Sequence, residues 1–153
     1  MDPDLPISAT HEVRDRCLCL HAQRAARRLG RVFDEALRPV GLTNGQFSLL
    51  MALNRPDGPR VGDLTGVLAM DRTTVTAALK PLERRGLVDS FADDQDARAR
   101  RLRLTDAGRE ALKQALPIWR EMHDRVDALL SRITPEALRT GLVEVLGEVD
   151  RPT

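Results

Sequence analysis

Two short amphipathic helices separated by three residues, followed at once by a change to alternating periodicity, constrain this chain more than any other feature. Val61, Leu64, Val67 and Leu68 recur at helical spacing in a segment of about Arg60 to Leu68, and Ala69-Met70-Asp71 then leads into a second periodic segment, Arg72 to Arg85. A turn that short forces the two helices to pack against each other at a steep angle. Asp71 is a good N-cap for the second helix and Gly86 a good residue just past its end, while Pro81 inside it predicts a bend or an early loss of regular hydrogen bonding. Beyond Gly86 the period drops to two. Leu87 to Phe91 and Arg100 to Leu104 read as strands flanking the polar segment Ala92 to Ala99, a hairpin with a long tip.

Helices surround this unit. One long helix is expected from about Glu12 to Arg38, with Leu29, Val32, Phe33, Ala36 and Leu37 on one face and Pro39 and Gly41 at its end. Thr43 caps another that carries Phe47, Leu50, Met51 and Leu53 and stops at Pro56-Asp57-Gly58-Pro59. Thr105 opens a helix that should run through Trp119 to Ile133, kinked at Pro117, and Thr134-Pro135 opens the last, with Leu138, Leu142, Val145, Leu146 and Val149 in one stripe. The fold class is therefore mainly α with a small β-hairpin wing. It divides into a winged helix-turn-helix over residues 41–105 and a helical dimerisation region over 1–40 and 106–153. The apolar stripes of the terminal helices, with Leu29, Phe33, Leu37, Trp119, Val126, Leu130 and Ile133 among them, exceed what so small a winged domain can cover, so a two-fold partner is expected. A monomeric bundle is the alternative.

Composition excludes several classes. No window of 153 residues approaches a membrane span, and Met1 to Thr10 has the wrong charge pattern for a signal peptide, so the expectation is a cytoplasmic protein. Two cysteines and three histidines provide neither a disulfide framework nor a zinc site, and no nucleophile–base pairing or phosphate loop suggests an enzyme or a cofactor. The net charge of +1 is unevenly spread: residues 14–38 sum to +4 and residues 110–153 to −2. A short basic run, Arg98-Ala99-Arg100-Arg101-Leu102-Arg103, sits at the hairpin.

That distribution suits double-stranded DNA. The helix starting at Arg72 would enter the major groove N-terminus first, presenting Arg72, Thr73, Thr74 and Thr76 to base edges, with Lys80 on a phosphate or a guanine. Arg98 on the hairpin tip, held by Asp96, would reach the minor groove; Arg100 and Arg101 follow it as further DNA contacts, and in the strand Arg101 and Arg103 alternate with Leu102 and Leu104, so that the arginines face outward and the leucines inward. The competing explanations are a capped helix with ordinary exposed threonines, a solvated surface ion pair, or a winged helix used for protein contacts only.

These same residues resemble the MarR family of bacterial transcriptional regulators. The resemblance is carried by Gly41-Leu42-Thr43 through Gln46-Phe47, by Leu68-Ala69-Met70-Asp71-Arg72-Thr73-Thr74-Val75-Thr76, by Leu82-Glu83-Arg84-Arg85-Gly86-Leu87-Val88, and by Asp96-Ala97-Arg98 followed by Leu104-Thr105-Asp106-Ala107-Gly108. It implies a triangular homodimer whose two winged domains read a pseudo-palindromic operator, usually as a repressor. It also implies release of DNA when a small molecule or an oxidant acts near the junction of the two regions. Candidate effector contacts are His21, Arg24, Phe33 and Met51, which would suit a small aromatic or anionic ligand. Cys17 and Cys19 are the candidate redox residues, Cys19 lying about where the oxidation-sensing OhrR branch carries its reactive cysteine. That branch holds its thiolate with tyrosines, of which this chain has none, and Phe47 stands where one of them would be. On a continuous helix, residues 17 and 19 would point about 200° apart and could not bond each other.

Overall fold

The first departure from the sequence reading lies at Cys17. A computed structural model describes residues 4–93 and 100–149, and in it the expected single N-terminal helix is two: α1, Ile7–Arg16, and α2, Leu18–Leu37. Cys17 joins them with extended backbone (φ −71°, ψ 100°), and its Sγ accepts a hydrogen bond from the Leu20 backbone N–H at 3.3 Å. The thiol thus caps α2, satisfying one of the donors a helix start leaves open. Helical periodicity alone does not report such a break, because residues on both sides keep their spacing.

A short 3₁₀ turn, Arg38–Val40, ends on Gly41 at positive φ and leads to α3, Asn44–Ala52. Thr43 and Gln46 form a reciprocal capping box there, each side-chain oxygen accepting from the other residue's backbone N–H at 3.1–3.2 Å. Then come α4, Val61–Leu68, α5, Arg72–Arg84, the antiparallel strands β1, Val88–Ala92, and β2, Arg100–Leu104, and the helices α6, Asp106–Asp127, and α7, Pro135–Val149. Strand register pairs Val88 with Leu104 and Ala92 with Arg100. Among the described residues no helix is long and apolar enough to cross a membrane.

Two prolines lie inside helices, and one helix ends earlier than expected. Pro81 does not shorten α5, which runs to Arg84; the carbonyl left without a donor is that of exposed Ala77, which water can reach. Likewise α6 continues through exposed Pro117. That helix stops at Asp127 rather than Ile133, so Leu129, Leu130 and Ile133 lie in the connection to α7, whose first turn Thr134 caps through the Ala137 N–H at 3.1 Å.

One core unites the parts. Leu37 of α2, Leu50 of α3, Leu64 of α4, Val75 and Leu82 of α5, Leu102 and Leu104 of β2, and Leu112 and Ala115 of α6 are all buried in it. Each leucine removed from water contributes roughly 1.5–3 kcal/mol. Phe33 and Leu37, expected on an uncovered stripe, are buried within their own chain, and Trp119 is half-buried against the same core. Of the expected stripe, Leu29 and Ile133 do stay exposed, and the other uncovered apolar side chains include Ile7 and Val13 on α1, Leu18 at the start of α2, Leu129 after α6, and Leu138, Leu142, Val143, Val145 and Leu146 on α7. Helix α7 is tied back by the Arg139 guanidinium, 3.3 Å from the Asp127 carboxylate.

Candidate nucleic-acid interface

The turn between α4 and α5 is made by a residue that pays for its conformation: Ala69 takes the left-handed region (φ 49°, ψ 44°) and closes the C-terminus of α4. Asp71 then opens α5, one carboxylate oxygen accepting from the Thr74 N–H at 2.9 Å and the other from the Thr74 hydroxyl at 2.6 Å. The Thr74 hydroxyl, with that backbone N–H, holds the Asp71 carboxyl below its ordinary range. Thr74 is therefore committed to the cap. Val75, Leu79 and Leu82 anchor the opposite face of α5 in the core.

What α5 presents to solvent is a single face. Thr73, Thr76, Ala77 and Lys80 lie at steps of three and four residues, and all are exposed, as is Arg72. The Thr76 hydroxyl donates to the Arg72 carbonyl at 2.8 Å. Small side chains beside one cation let a helix backbone approach a groove closely.

The hairpin is fixed at its base by a buried carboxylate. Asp93, just past β1, has a side chain only 1% exposed, and it receives Arg60 from the start of α4 (Nη2 at 2.7 Å) and Arg101 from β2 (Nε at 2.8 Å). Arg101 also donates through Nη1 to the carbonyls of Asp57 and Gly58, at 2.8 and 3.0 Å. Its backbone bridges Arg60, and the Leu102 N–H donates to the Pro59 carbonyl at 2.9 Å, adding a third strand-like segment to the hairpin. The alternation of β2 does bury Leu102 and Leu104, but Arg101 folds back into the domain instead of reaching outward. Arg100 is exposed and lies against Ser90, its Nη2 2.8 Å from both the carbonyl and Oγ. Arg103 pairs with Asp89 at 2.8 Å, lowering that carboxyl, and covers the Phe91 ring at 5.0 Å. Asp96 and Arg98 lie outside the described residues.

The four candidate effector residues are not brought together. Met51 lines an apolar cavity of about 660 Å³ between α3, α4 and α6, with Phe47, Ala52, Leu68, Leu116 and Trp119. His21 and Arg24 line a separate groove along α2. Phe33 is buried against His123, ring centroids 4.8 Å apart, and His123 in turn lies 4.1 Å from Trp119. His123 escaped the sequence reading because its neighbours come from helices far apart in the chain. Cys17 is half-buried and Cys19 exposed, its Sγ accepting from Gln23 Nε2 at 3.2 Å.

A helix-turn-helix with a braced hairpin beside its second helix is the architecture of a winged-helix DNA-binding protein. The MarR family model matches residues 42–99, the segment that holds the helix-turn-helix and the first strand of the hairpin. Among solved structures, the transcriptional regulator MosR of M. tuberculosis in complex with DNA is 37% identical, with a TM-score of 0.80 over 90% of this chain and 100% of that one. The transcriptional repressor CouR of Rhodococcus jostii, bound to a 23-mer DNA duplex, is 31% identical, with a TM-score of 0.73 over 92% and 96%. The transcriptional activatory protein BadR of Rhodopseudomonas palustris is 33% identical over 109 residues, 69% of this chain and 62% of that protein. Of two curated relatives that it matches, the chain spans 53% and 62% of the length. This chain belongs to the MarR family of transcriptional regulators.

Proposed function

We propose that the protein is a sequence-specific repressor that binds a pseudo-palindromic operator as a homodimer in the cytoplasm. The observation that carries this reading is the exposed face of α5, Arg72, Thr73, Thr76 and Lys80, set beside a hairpin braced by Asp93. Arg98 at the hairpin tip is the minor-groove contact and Asp96 its positioning partner, while Thr74 and Arg101 shape the interface from within. Residues 1–40 and 106–153 form the dimerisation region, in keeping with the uncovered apolar side chains of α1 and α7. The effector is a small aromatic molecule. The apolar cavity under Met51, Phe47 and Trp119 supports that, since it lies between the recognition unit and α6 and falls in the size range of small-ligand sites.

The test is binding to DNA upstream of the protein's own gene in a salt series. A dimer neutralising roughly 8 phosphates loses about 10³–10⁴ in affinity between 50 and 200 mM salt. Lys80→Ala lowers the salt slope by about 1 per site and Arg98→Ala costs at least about 1 kcal/mol in binding. Salt-insensitive binding, or none, overturns the reading.

A second reading, oxidant sensing through Cys17 and Cys19, is favoured by one observation. The backbone break at Cys17 removes the helical geometry that would hold the two thiols on opposite sides. Peroxide that abolishes operator binding in the parent but not in Cys17→Ser or Cys19→Ser supports it; equal loss in all three discards it.

A further inference from the structure

A row of four exposed arginines lies away from α5 and the hairpin. It lies on α2, where Arg24, Arg27, Arg28 and Arg31 fall at steps of three and four residues, so that all four project from one side of the helix. Like charges at these spacings repel and weaken a helix. The acids that could neutralise them are committed elsewhere: Glu35 pairs with Arg38, Asp34 accepts from the Asn44 N–H at 2.7 Å, and Asp15 is held by Arg14. Arg27 reaches only the neutral Gln23, at 3.1 Å, and Arg24, Arg28 and Arg31 have no ion-pair partner among the described residues.

The surface around them is concave. A groove of about 540 Å³ is lined by Arg24, Arg27, Arg28 and Arg31 with His21, and a second of about 550 Å³, between α2 and α6, is lined by Arg28, Arg31 and Arg125 with one carboxylate, Glu35, whose charge is taken up by Arg38. The two share Arg28 and Arg31 as a common wall. Arg125 comes from a different helix and is likewise without an ion-pair partner among the described residues. Five guanidinia from two helices thus converge on one pair of grooves. We infer that this is a binding site for a small anion carrying two or more phosphate groups.

The chemistry selects that class. Guanidinium groups present paired donors that match phosphate oxygens, and a run of four along a helix needs several charges in a row to be satisfied at once. A single carboxylate would leave most of the row unpaired. Two grooves of small-ligand size favour a compact polyphosphate over a DNA backbone. The helix α2 packs on α3 and α6, whereas α5 packs on α3, α4 and β1, so the arginine row belongs to a different part of the molecule from the recognition helix. The site is also distinct from the apolar cavity assigned to an effector, and it does not rest on that assignment.

Isothermal titration of the full chain with inorganic tripolyphosphate and pyrophosphate tests it, with monophosphate and sulfate as controls. The expected result is saturable binding of one anion per chain, tightest for tripolyphosphate. A double Arg28→Gln, Arg31→Gln variant should weaken it by at least about tenfold, Arg125→Gln should weaken it on its own, and the double lysine variant should restore part of the loss. Absence of saturable binding overturns the proposal, as does binding that the variants leave unchanged. Circular dichroism and ultracentrifugation of the glutamine variants complete the test. If they keep fold and assembly state, and bind operator with unchanged salt slope while losing tripolyphosphate, the site stands. If they instead lose operator affinity or dissociate, the arginines serve DNA or a second copy and the proposal falls.

Discussion

Asp93 and Arg101 lie at 2.8 Å across the base of the hairpin, and the carboxylate of that pair is almost wholly shielded from water. Because Asp93 also receives Arg60, one buried group ties the start of α4, the end of β1 and the middle of β2 together. Removing it would leave two guanidiniums facing a vacated polar site. Since both retain access to solvent, the cost is discounted from the 3–5 kcal/mol of a fully buried pair.

Asp93→Ala is accordingly expected to lower stability by about 1–3 kcal/mol and to weaken operator binding further by loosening the wing. Urea denaturation gives the first quantity and fluorescence anisotropy with labelled operator the second. A variant with parental stability would show that Asp93 does not brace the hairpin.

Ala69 offers a change in the opposite direction. Its left-handed conformation costs an alanine about 1–2 kcal/mol, which glycine avoids at the expense of a more flexible unfolded chain. The balance predicts that Ala69→Gly raises stability by about 0.5 kcal/mol, while the β-branched Ala69→Val lowers it by more than about 1 kcal/mol. Thermal unfolding of the two variants reads the sign directly, and a destabilised glycine variant would contradict the assignment of strain to this turn.

Gly108 fills a different need, close approach. A Cβ there would stand 2.1 Å from the Leu87 carbonyl oxygen, a backbone atom that cannot swing aside, so the first turn of α6 could not keep its seat on the hairpin. Gly108→Ala should destabilise by at least about 2 kcal/mol, towards the upper end for overpacking. By contrast Gly66, inside α4 with nothing within 4 Å of its would-be Cβ, should accept alanine with a gain of about 0.5–1 kcal/mol. Chemical denaturation of both variants distinguishes packing from propensity.

Much of this arrangement could be read from the chain before any coordinates. Asp71, Thr43 and Thr105 cap their helices, the first strand is shifted by one position from the expected one and the second matches it, because caps and alternating periodicity are local signals. The family assignment was legible for the same reason, as its motifs are local. Contacts between distant segments were not. Arg101 looked like an outward-facing arginine because nothing near it in sequence announces that Asp93 will be buried beside it, together with the carbonyls of Asp57 and Gly58. Phe33 and Leu37 looked like a partner-binding stripe because periodicity tells which face of a helix is apolar but not what covers it. The break at Cys17 was hidden by a helical pattern that continues through it.

The ring of His123, between Phe33 and Trp119 at 4.8 and 4.1 Å, ties α2 to α6 beside the wall of the apolar cavity. Loss of hydration there pushes its pKa below the ordinary histidine value; Asp127 and Asp124 act the other way and Arg139 reinforces the shift. In the unfolded chain the imidazole protonates around pH 6.5, whereas in the folded chain it stays neutral to lower pH, so the unfolded state binds more protons in that window. Stability contributed by the neutral ring is therefore fully present above about pH 6.5 and is lost as pH falls from there towards the lowered folded value. His123→Phe keeps the aromatic packing and removes the proton. Urea denaturation between pH 7.5 and 5.5 should show a decline in the parent chain that is shallower in the variant, and parallel curves would mean that His123 is as easily protonated folded as unfolded.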